Sequence, residues 1–594
     1  MPKADPEFIF YFARSCPLLS QAVRRNLFYA FSFLFCAGMI LSRIWVTEDA
    51  YISFRAIENL YQGYGFVYNP GERVEVTSHP LWAAILIVLR SMGLSLPMTS
   101  AVLGLFFTGL AIYQLIKRSM LADAFPFAAI ALCSISGFRD FSTSGLEFSL
   151  AFFLMTMFYI EVQEHGLLER PMYLAALLNL LYLDRPETAL LYAYYSVFFV
   201  LDLWRSTPRL ASKIIPAIQW GLPAILITGS YHAFRYLYFG ALFANPYYAK
   251  AGLDTYYSHG LKYLAHSLIF APAITFALLL AASFLVLHRL RSKQKPLVVG
   301  RAVRDLGAFA LLTFYMIRVG GDFMAFRFWL PALAILFITV DRMFISVPRF
   351  PLPLLSSRPV WTDWGALLFF AALSFWPVPM TRGFIADERP AFFSIGAGSV
   401  FGSKDNAWAA RGRAFRKLQD CLSYEDFWIA NSQAHAHCLR GVGLGYVGVE
   451  AGPLVRIFDE QGLSDGSVAR ARVLMRFRPG HEHYTTLAQV VERGVLFCSS
   501  GEPGYDRVMA TQAGIVIRLD PDLLATLPDA RARMQELVRL KAEGSEFIPR
   551  LEKRYGVRVE DLLAQSSQWE ADRLMQSKQA CWKSFEGGPD TYFY

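Results

Sequence analysis

The chain has 594 residues, of which 55% are hydrophobic and 15% aromatic, and its mean hydropathy is +0.33. These values exclude an ordinary soluble protein and a single domain, and they indicate a polytopic membrane protein. The net charge of +9 would suit a nucleic-acid partner, but the basic residues stand in clusters between apolar runs, so the partner they imply is the anionic inner leaflet of a bilayer.

Behind a short segment, 1–24, expected in the cytoplasm, the first apolar run from Asn26 to Ser42 is uncharged and no small-residue cleavage site follows it. It is read as a signal anchor that stays in the protein. Ten further runs follow: 96–116, 124–138, 146–162, 171–184, 187–204, 213–234, 262–288, 303–318, 326–345 and 361–380. Several are shorter than the roughly 18 residues that identify a span alone. A twelfth run, 79–89, is about half a span long, and every later segment inverts if it crosses. Without that crossing, Arg24 and Arg25, Lys117 and Arg118, Arg205, Arg209 and Lys213, the basic run 289–304, and Arg342, Arg349 and Arg358 all face the cytoplasm. The positive-inside rule therefore makes 79–89 a re-entrant or interfacial helix.

The expected fold is a polytopic α-helical membrane module of about eleven transmembrane helices over 25–380, with a first external loop at 46–95. A mixed α/β soluble domain on the outer side follows over 381–594. In that region WIAN (428–431), LVRIF (454–458), GVLFCS (494–499) and GIVIRL (514–519) read as strands, and 482–493 and 520–565 as helical. Cys421, Cys438, Cys498 and Cys581 would permit two disulfides outside the cytosol, and the pairing Cys421 with Cys438 and Cys498 with Cys581 is one of three connectivities.

On this topology the external face collects 45–82, 137–147, 183–188, 234–254 and 318–327. Snorkelling explains isolated arginines there, but Glu48, Asp49, Glu75, Glu147, Glu187 and Asp322 are too short to snorkel. Carboxylates and cations at the membrane surface suit a lipid-linked phosphosugar. Arg and Lys would hold its phosphate, and a carboxylate would take the acceptor proton or face the oxocarbenium-like carbon. The chain contains no GxxxxGK[ST] and no strand followed by GxGxxG, so a nucleotide site is not expected.

The order of segments resembles that of the GT-C glycosyltransferases, which take sugars from polyprenyl phosphates. WVTEDAYISFR, YNPGERVEVTSHPLW and RDFSTSGLE are similar to the corresponding stretches of the terminal arabinofuranosyltransferases of mycobacterial cell walls. The resemblance extends through FGALFANPYYAK, VGGDFMAFRFWLP and IFDEQGLSDGSVAR. It implies a bacterial inner-membrane enzyme whose donor is decaprenyl-phosphoryl arabinofuranose or a similar lipid, with a glycan or protein acceptor on the outer face. The acidic pair of the family falls on Glu48 and Asp49. Asp49 is then the principal catalytic carboxylate, and Glu48 supports it or binds the acceptor. Transfer of this type retains the anomeric configuration, which makes Asp49 a nucleophile or ion-pair stabiliser as well as a candidate base.

The remaining roles come from position and charge. Lys250, Arg318 and Arg327 are the candidates for the donor phosphate, with snorkelling as the competing explanation. Arg73, Glu75, His79, Glu147, Arg185, Glu187 and Asp322 are candidates for sugar or acceptor binding. Each of these has a plainer alternative: a local ion pair at Arg73–Glu75 and Arg185–Glu187, a helix N-terminal acid at Glu147, and turn chemistry at Asp322. AHAHC (434–438) and GHEHY (480–484) space their histidines at i, i+2, which is not a helical zinc spacing, so no metal site is expected. A divalent cation at Asp49 is compatible with the resemblance without being required. The alternatives are transfer of a hexose or aminoarabinose and, in a different class, transport or flipping of a lipid-linked sugar. A transporter would carry ionisable residues near the midplane and repeated halves, neither of which this sequence has. A cysteine-reactive or epitope label placed after residue 381 is expected to react from outside intact cells; reaction only after the membrane is opened would reverse the topology.

Overall fold

The computed structural model describes residues 21–206, 211–251, 255–290, 296–346 and 360–379, then 381–382, 385–390, 427–431, 444–459 and 461–471, with scattered shorter pieces that include 495–497, 507–510 and 516–519. By its contacts the chain divides into two units. The first comprises Met1–Thr47, Ser78–Leu237 and Leu253–Ala391, and the second Glu48–Thr77, Tyr238–Gly252 and Phe392–Tyr594.

Each apolar run of the sequence is helical in the described residues, beginning with Gln21–Leu41, Leu96–Leu121 and Phe148–Glu164. Leu96–Leu121 and Ala211–Phe239 are long and apolar enough to cross a membrane alone. The run read as one span over 262–288 is instead two helices, Tyr257–Phe270 and Pro272–Leu290, bent by 93° at the break. Pro272 explains the break, because it has no N–H to continue the ladder and pushes Ala271 out of the helical region. Ala211–Phe239 carries Pro216 and Pro223 inside it and passes them without a break, through a π-helical turn at Ala224–Gly229. The half-length run is the helix Pro80–Ser91, started by Pro80 in its first turn and ended by Gly93 at φ +81°.

Helix packing in the first unit is tight where glycine permits it. Gly137, in the short helix Ser136–Phe141, lies against Phe326, which itself sits at φ +67°. Phe138 packs edge-on to Phe148 and Phe152 at centroid distances of 5.8 and 5.0 Å.

The second unit holds a five-stranded sheet in the order 455–459, 427–431, 495–497, 507–510, 516–519. The first two pairings are parallel and the last two antiparallel. Helix Leu444–Ala451 lies in the chain between the two parallel neighbours Phe427–Asn431 and Val455–Asp459, as the crossover of a βαβ unit does. All four runs read as strands are strands. Arg507–Ala510 was not foreseen, since its four residues mix a charge with apolar groups and show no marked alternation. The helical stretches expected over 482–493 and 520–565 lie largely, and all four C-terminal cysteines wholly, outside the described residues.

A methyl added at Gly137 would come 2.5 Å from Phe326 Cβ, whereas one at Gly109 meets nothing within 4 Å. Gly137→Ala is expected to cost about 1–3 kcal/mol and to lower the unfolding temperature of the purified protein, with Gly109→Ala unchanged or slightly stabilised.

Candidate active site

In the second unit, the helix Glu48–Tyr61 opens on Glu48 and Asp49, at its positive dipole end. The two carboxylates differ in surroundings. Glu48 is 8% exposed, and its Oε1 accepts the backbone N–H of Gly445 at the start of helix Leu444–Ala451. Asp49 is half-buried. Adjacent positions of a helix point about 100° apart, so fixing Glu48 on Gly445 also fixes the direction in which Asp49 projects.

Several contacts hold Glu48–Tyr61 on Leu444–Ala451. The buried Arg55 donates through Nε to Tyr68 O (2.8 Å), through Nη2 to Val455 O (2.7 Å) and through Nη1 to Gly448 O. Tyr68 Oη donates to Leu444 O (2.6 Å), and Asn59 Nδ2 to Val67 O and Tyr68 O (3.0 and 2.9 Å). Tyr51 stacks on Tyr446 with centroids 3.9 Å apart. Burial pushes the Tyr51 phenol up to about 12 and raises Tyr446 as well, so both rings stay neutral. Gly445 and Gly448 make the approach possible: a Cβ at Gly448 would lie 2.6 Å from Tyr68 Oη and 2.9 Å from Arg55 Cδ.

The other second-unit candidates stand on the neighbouring loops. Arg73 is exposed, with its guanidinium 5.3 Å from the centre of the Tyr238 ring. Glu75 is 3% exposed, and its carbonyl accepts from Asn245 N (2.9 Å). Asn245 in turn donates through Nδ2 to Gly462 O and Leu463 O (2.6 and 3.0 Å), which seats 238–252 on the turn after Val455–Asp459. Lys250 is half-buried in the π turn Tyr247–Ala251. Of the histidine motifs, AHAHC lies outside the described residues, and His483 of GHEHY bonds the carbonyl of Ala249 (3.1 Å).

In the first unit the structure gathers His79, Glu147, Arg185 and Glu187. Glu147, 4% exposed at the N-cap of Phe148–Glu164, accepts Arg185 Nη1 on Oε1 (2.8 Å), while His79 Nδ1 lies 3.3 Å from its Oε2. Arg185 Nε also donates to Glu187 Oε1 (2.7 Å). Both plainer readings therefore hold for Arg185 and Glu147, since the local pair forms and the acid does stand at a helix start. Neither reading covers the contact between Glu147 and Arg185, which are 38 positions apart. Asp322 accepts Phe323 N (2.8 Å) and has the half-buried Arg327 at 3.9 Å. Arg327 also acts electrostatically on Glu147 and Arg185. Arg318 is half-buried and makes no ion pair among the described residues.

Two charged groups escaped the sequence reading. Asp184, fully buried, lies within electrostatic range of Glu147 and Glu187; its place at the end of an apolar helix was the available signal. Arg43 grips Asp140 through Nε (2.5 Å) and Nη2 (2.7 Å); Asp387 lies 3.7 Å from Arg43 Nη2, and Arg389 Nε lies 3.8 Å from Asp140. Asp140, Asp387 and Arg389, with Trp45 and Phe326, line a small cleft. Among the described residues, no three of His, Cys, Asp and Glu converge as metal ligands would.

Burial, and then the neighbouring Asp140 charge, push the Asp387 carboxyl up to about 6. A carboxyl raised in the folded state contributes stability that is full below its unfolded value of about 4 and is lost as the pH rises through about 6. Relative to Asp387→Asn, the wild type is therefore expected to lose thermal stability between pH 4 and pH 7. Parallel melting curves for the two proteins would remove the assignment.

No family model matches the chain. A terminal beta-(1->2)-arabinofuranosyltransferase of Mycobacterium tuberculosis is 28% identical over 346 residues, covering 52% of this chain and 53% of the relative. A protein of the same name from Corynebacterium glutamicum is 30% identical over 357 residues, covering 53% of this chain and 50% of the relative. The chain thus spans about half the length of the curated relatives it matches. The comparison bears out the resemblance carried by the motifs: this chain is similar to terminal arabinofuranosyltransferases.

Proposed function

We propose that this chain is a membrane glycosyltransferase that moves arabinofuranose from a polyprenyl-phosphate donor to a glycan or protein acceptor on the outer face of the bacterial inner membrane. The observation that carries the reading is the unequal state of the acidic pair in a chain similar to arabinofuranosyltransferases. Glu48 is buried with its Oε1 on a backbone amide, whereas Asp49 is half-buried, and we assign the sugar chemistry to Asp49. On this reading the two share no chemical task. Glu48 is a positioning residue and Asp49 acts on the sugar.

In the proposed reaction the bond between the anomeric carbon and the donor phosphate oxygen breaks, and its electron pair leaves with the phosphate. Positive charge develops on the anomeric carbon, where a carboxylate stabilises it as an ion pair or closes on it as a nucleophile. An acceptor hydroxyl then forms the new glycosidic bond and surrenders its proton to the carboxylate. The relatives' name specifies a beta-(1->2) product, so the acceptor group by extension is a 2-hydroxyl. Among the phosphate candidates we favour Arg327, with Lys250 and Arg318 as the others. Arg185 is already flanked by two carboxylates and so has little net charge to offer a phosphate. With His79, Glu147, Glu187 and Asp322 it suits hydroxyl groups better, as donors and acceptors fixed by one another. Arg73 and Glu75 retain the same role on their loop.

The test uses membranes supplied with labelled decaprenyl-phosphoryl arabinofuranose and an arabinan acceptor. Asp49→Asn is expected to lower kcat roughly 10³-fold without moving the unfolding temperature, and undiminished transfer would overturn the proposal. Glu48→Ala leaves the Gly445 amide without its acceptor. It should cost about 1–3 kcal/mol and lower the unfolding temperature, with Glu48→Gln recovering most of the loss. Arg327→Gln should lower kcat/KM for the donor about tenfold, the value of one charged hydrogen bond.

A further inference from the structure

The first unit has a second charged centre at the other end of its helices. Phe148–Glu164 has 17 residues, about 25 Å at 1.5 Å per residue, so Gln163 in its last turn lies nearly a bilayer core away from Glu147 at its start. Gln163 is 1% exposed and connects four helices. Arg118 Nη2 donates to its Oε1 (3.1 Å), and its Nε2 donates to Asp305 Oδ2 (3.0 Å). Its backbone carbonyl, one of those a helix end leaves over, accepts both Arg301 Nη1 (2.6 Å) and Arg342 Nη2 (3.3 Å).

The arginines here are not matched by their partners. Arg118 pairs with Glu164 (3.1 Å) and Arg304 with Asp305 (3.2 Å), and both are 7% exposed. Asp341 also lies within electrostatic range of Arg118; even so, the buried Arg118 Nη1 and Arg304 Nη2 find no acceptor among the described residues. Arg301 and Arg342, both half-buried, form no ion pair among the described residues, although Glu164 and Asp305 lie within electrostatic range of Arg342, and they share one neutral oxygen. That sharing brings two like charges within roughly 6 Å, where they repel. Capping of a helix C-terminus by a cation accounts for one arginine at Gln163. A second arginine on the same carbonyl is surplus to that purpose. A group carrying several oxygens and at least one negative charge would relieve the repulsion and use the remaining donors, as phosphate does in a fork of guanidinium groups.

We propose that Arg301 and Arg342, backed by Arg118 and Arg304, form a binding site for a phosphate group, distinct from the site of sugar transfer. At this depth the headgroup phosphate of an anionic lipid is one source, and a free phosphoanion is the other. The full-length protein, purified in detergent and stripped of lipid, is titrated separately with phosphatidylglycerol, phosphatidylcholine and inorganic phosphate while its unfolding temperature is followed. Phosphatidylglycerol should raise that temperature where phosphatidylcholine does not, and the Arg301→Gln/Arg342→Gln variant should lose the response. A response to inorganic phosphate without lipid preference, again lost in the variant, assigns the same arms to a free phosphoanion. Equal responses of wild type and variant to all three probes overturn the site. Should the double variant fail to fold, Arg301→Gln alone is measured by native mass spectrometry. It is expected to retain phosphatidylglycerol about tenfold less well, and unchanged retention would overturn the site.

Discussion

A guanidinium taken out of water must place its donors on something, and Arg55 places them on backbone carbonyls. It is 2% exposed and forms no ion pair among the described residues. Burial weakens its hold on its proton, and the Tyr68 ring, 4.6 Å away, works in the opposite direction. Its acceptors belong to three places in the chain: Tyr68, Gly448 and Val455. Removing any of them leaves a buried charge with an unmet donor, which costs more than the contact itself contributes. This requirement fixes helix Glu48–Tyr61 against Leu444–Ala451 and Val455–Asp459, and the role proposed for Asp49 depends on that placement.

The first unit follows a related rule with a different solution. Two of its groups of buried charge sit at the ends of Phe148–Glu164, a pair-rich one around Glu147 and an arginine-rich one around Gln163. Between them Phe152, Met155 and Thr156 lie fully inside the bundle with no charge beside them in the helix. Charges gathered at the ends agree with an enzyme or receptor surface better than with a conduction path, for which ionisable groups near the middle would be needed.

Much of this was legible from local pattern. The apolar runs mark the helices, the short run at 79–89 marks Pro80–Ser91, and short apolar runs mark four strands of the five-stranded sheet. Arg185 and Glu187 are two positions apart, and their pair could be read directly. What escaped was set by distance along the chain. Glu48 and Gly445 are 397 positions apart, so nothing near Glu48 distinguishes a capping carboxylate from a reacting one. Arg118, Arg304 and Arg342 were counted as loop charges for topology, yet Arg118 and Arg304 are buried against Glu164 and Asp305. Asp305 was hidden by the basic residues around it. The bend at Ala271 was foreseeable from Pro272 but was outweighed by the continuous apolarity of the run.

The reach of Arg55 also bears on how the protein is made. Its acceptors at Gly448 and Val455 are 393 and 400 residues downstream. At about 5–20 residues per second of synthesis, the helix bearing Asp49 waits roughly 20–80 seconds after emerging before the carbonyls that satisfy it exist. Through that interval two of the arginine's three acceptors and the amide that Glu48 binds are missing, which keeps the segment hydrated. A chain cut short before residue 445 never leaves that state, so the protein would be assembled last at the place where its proposed chemistry begins.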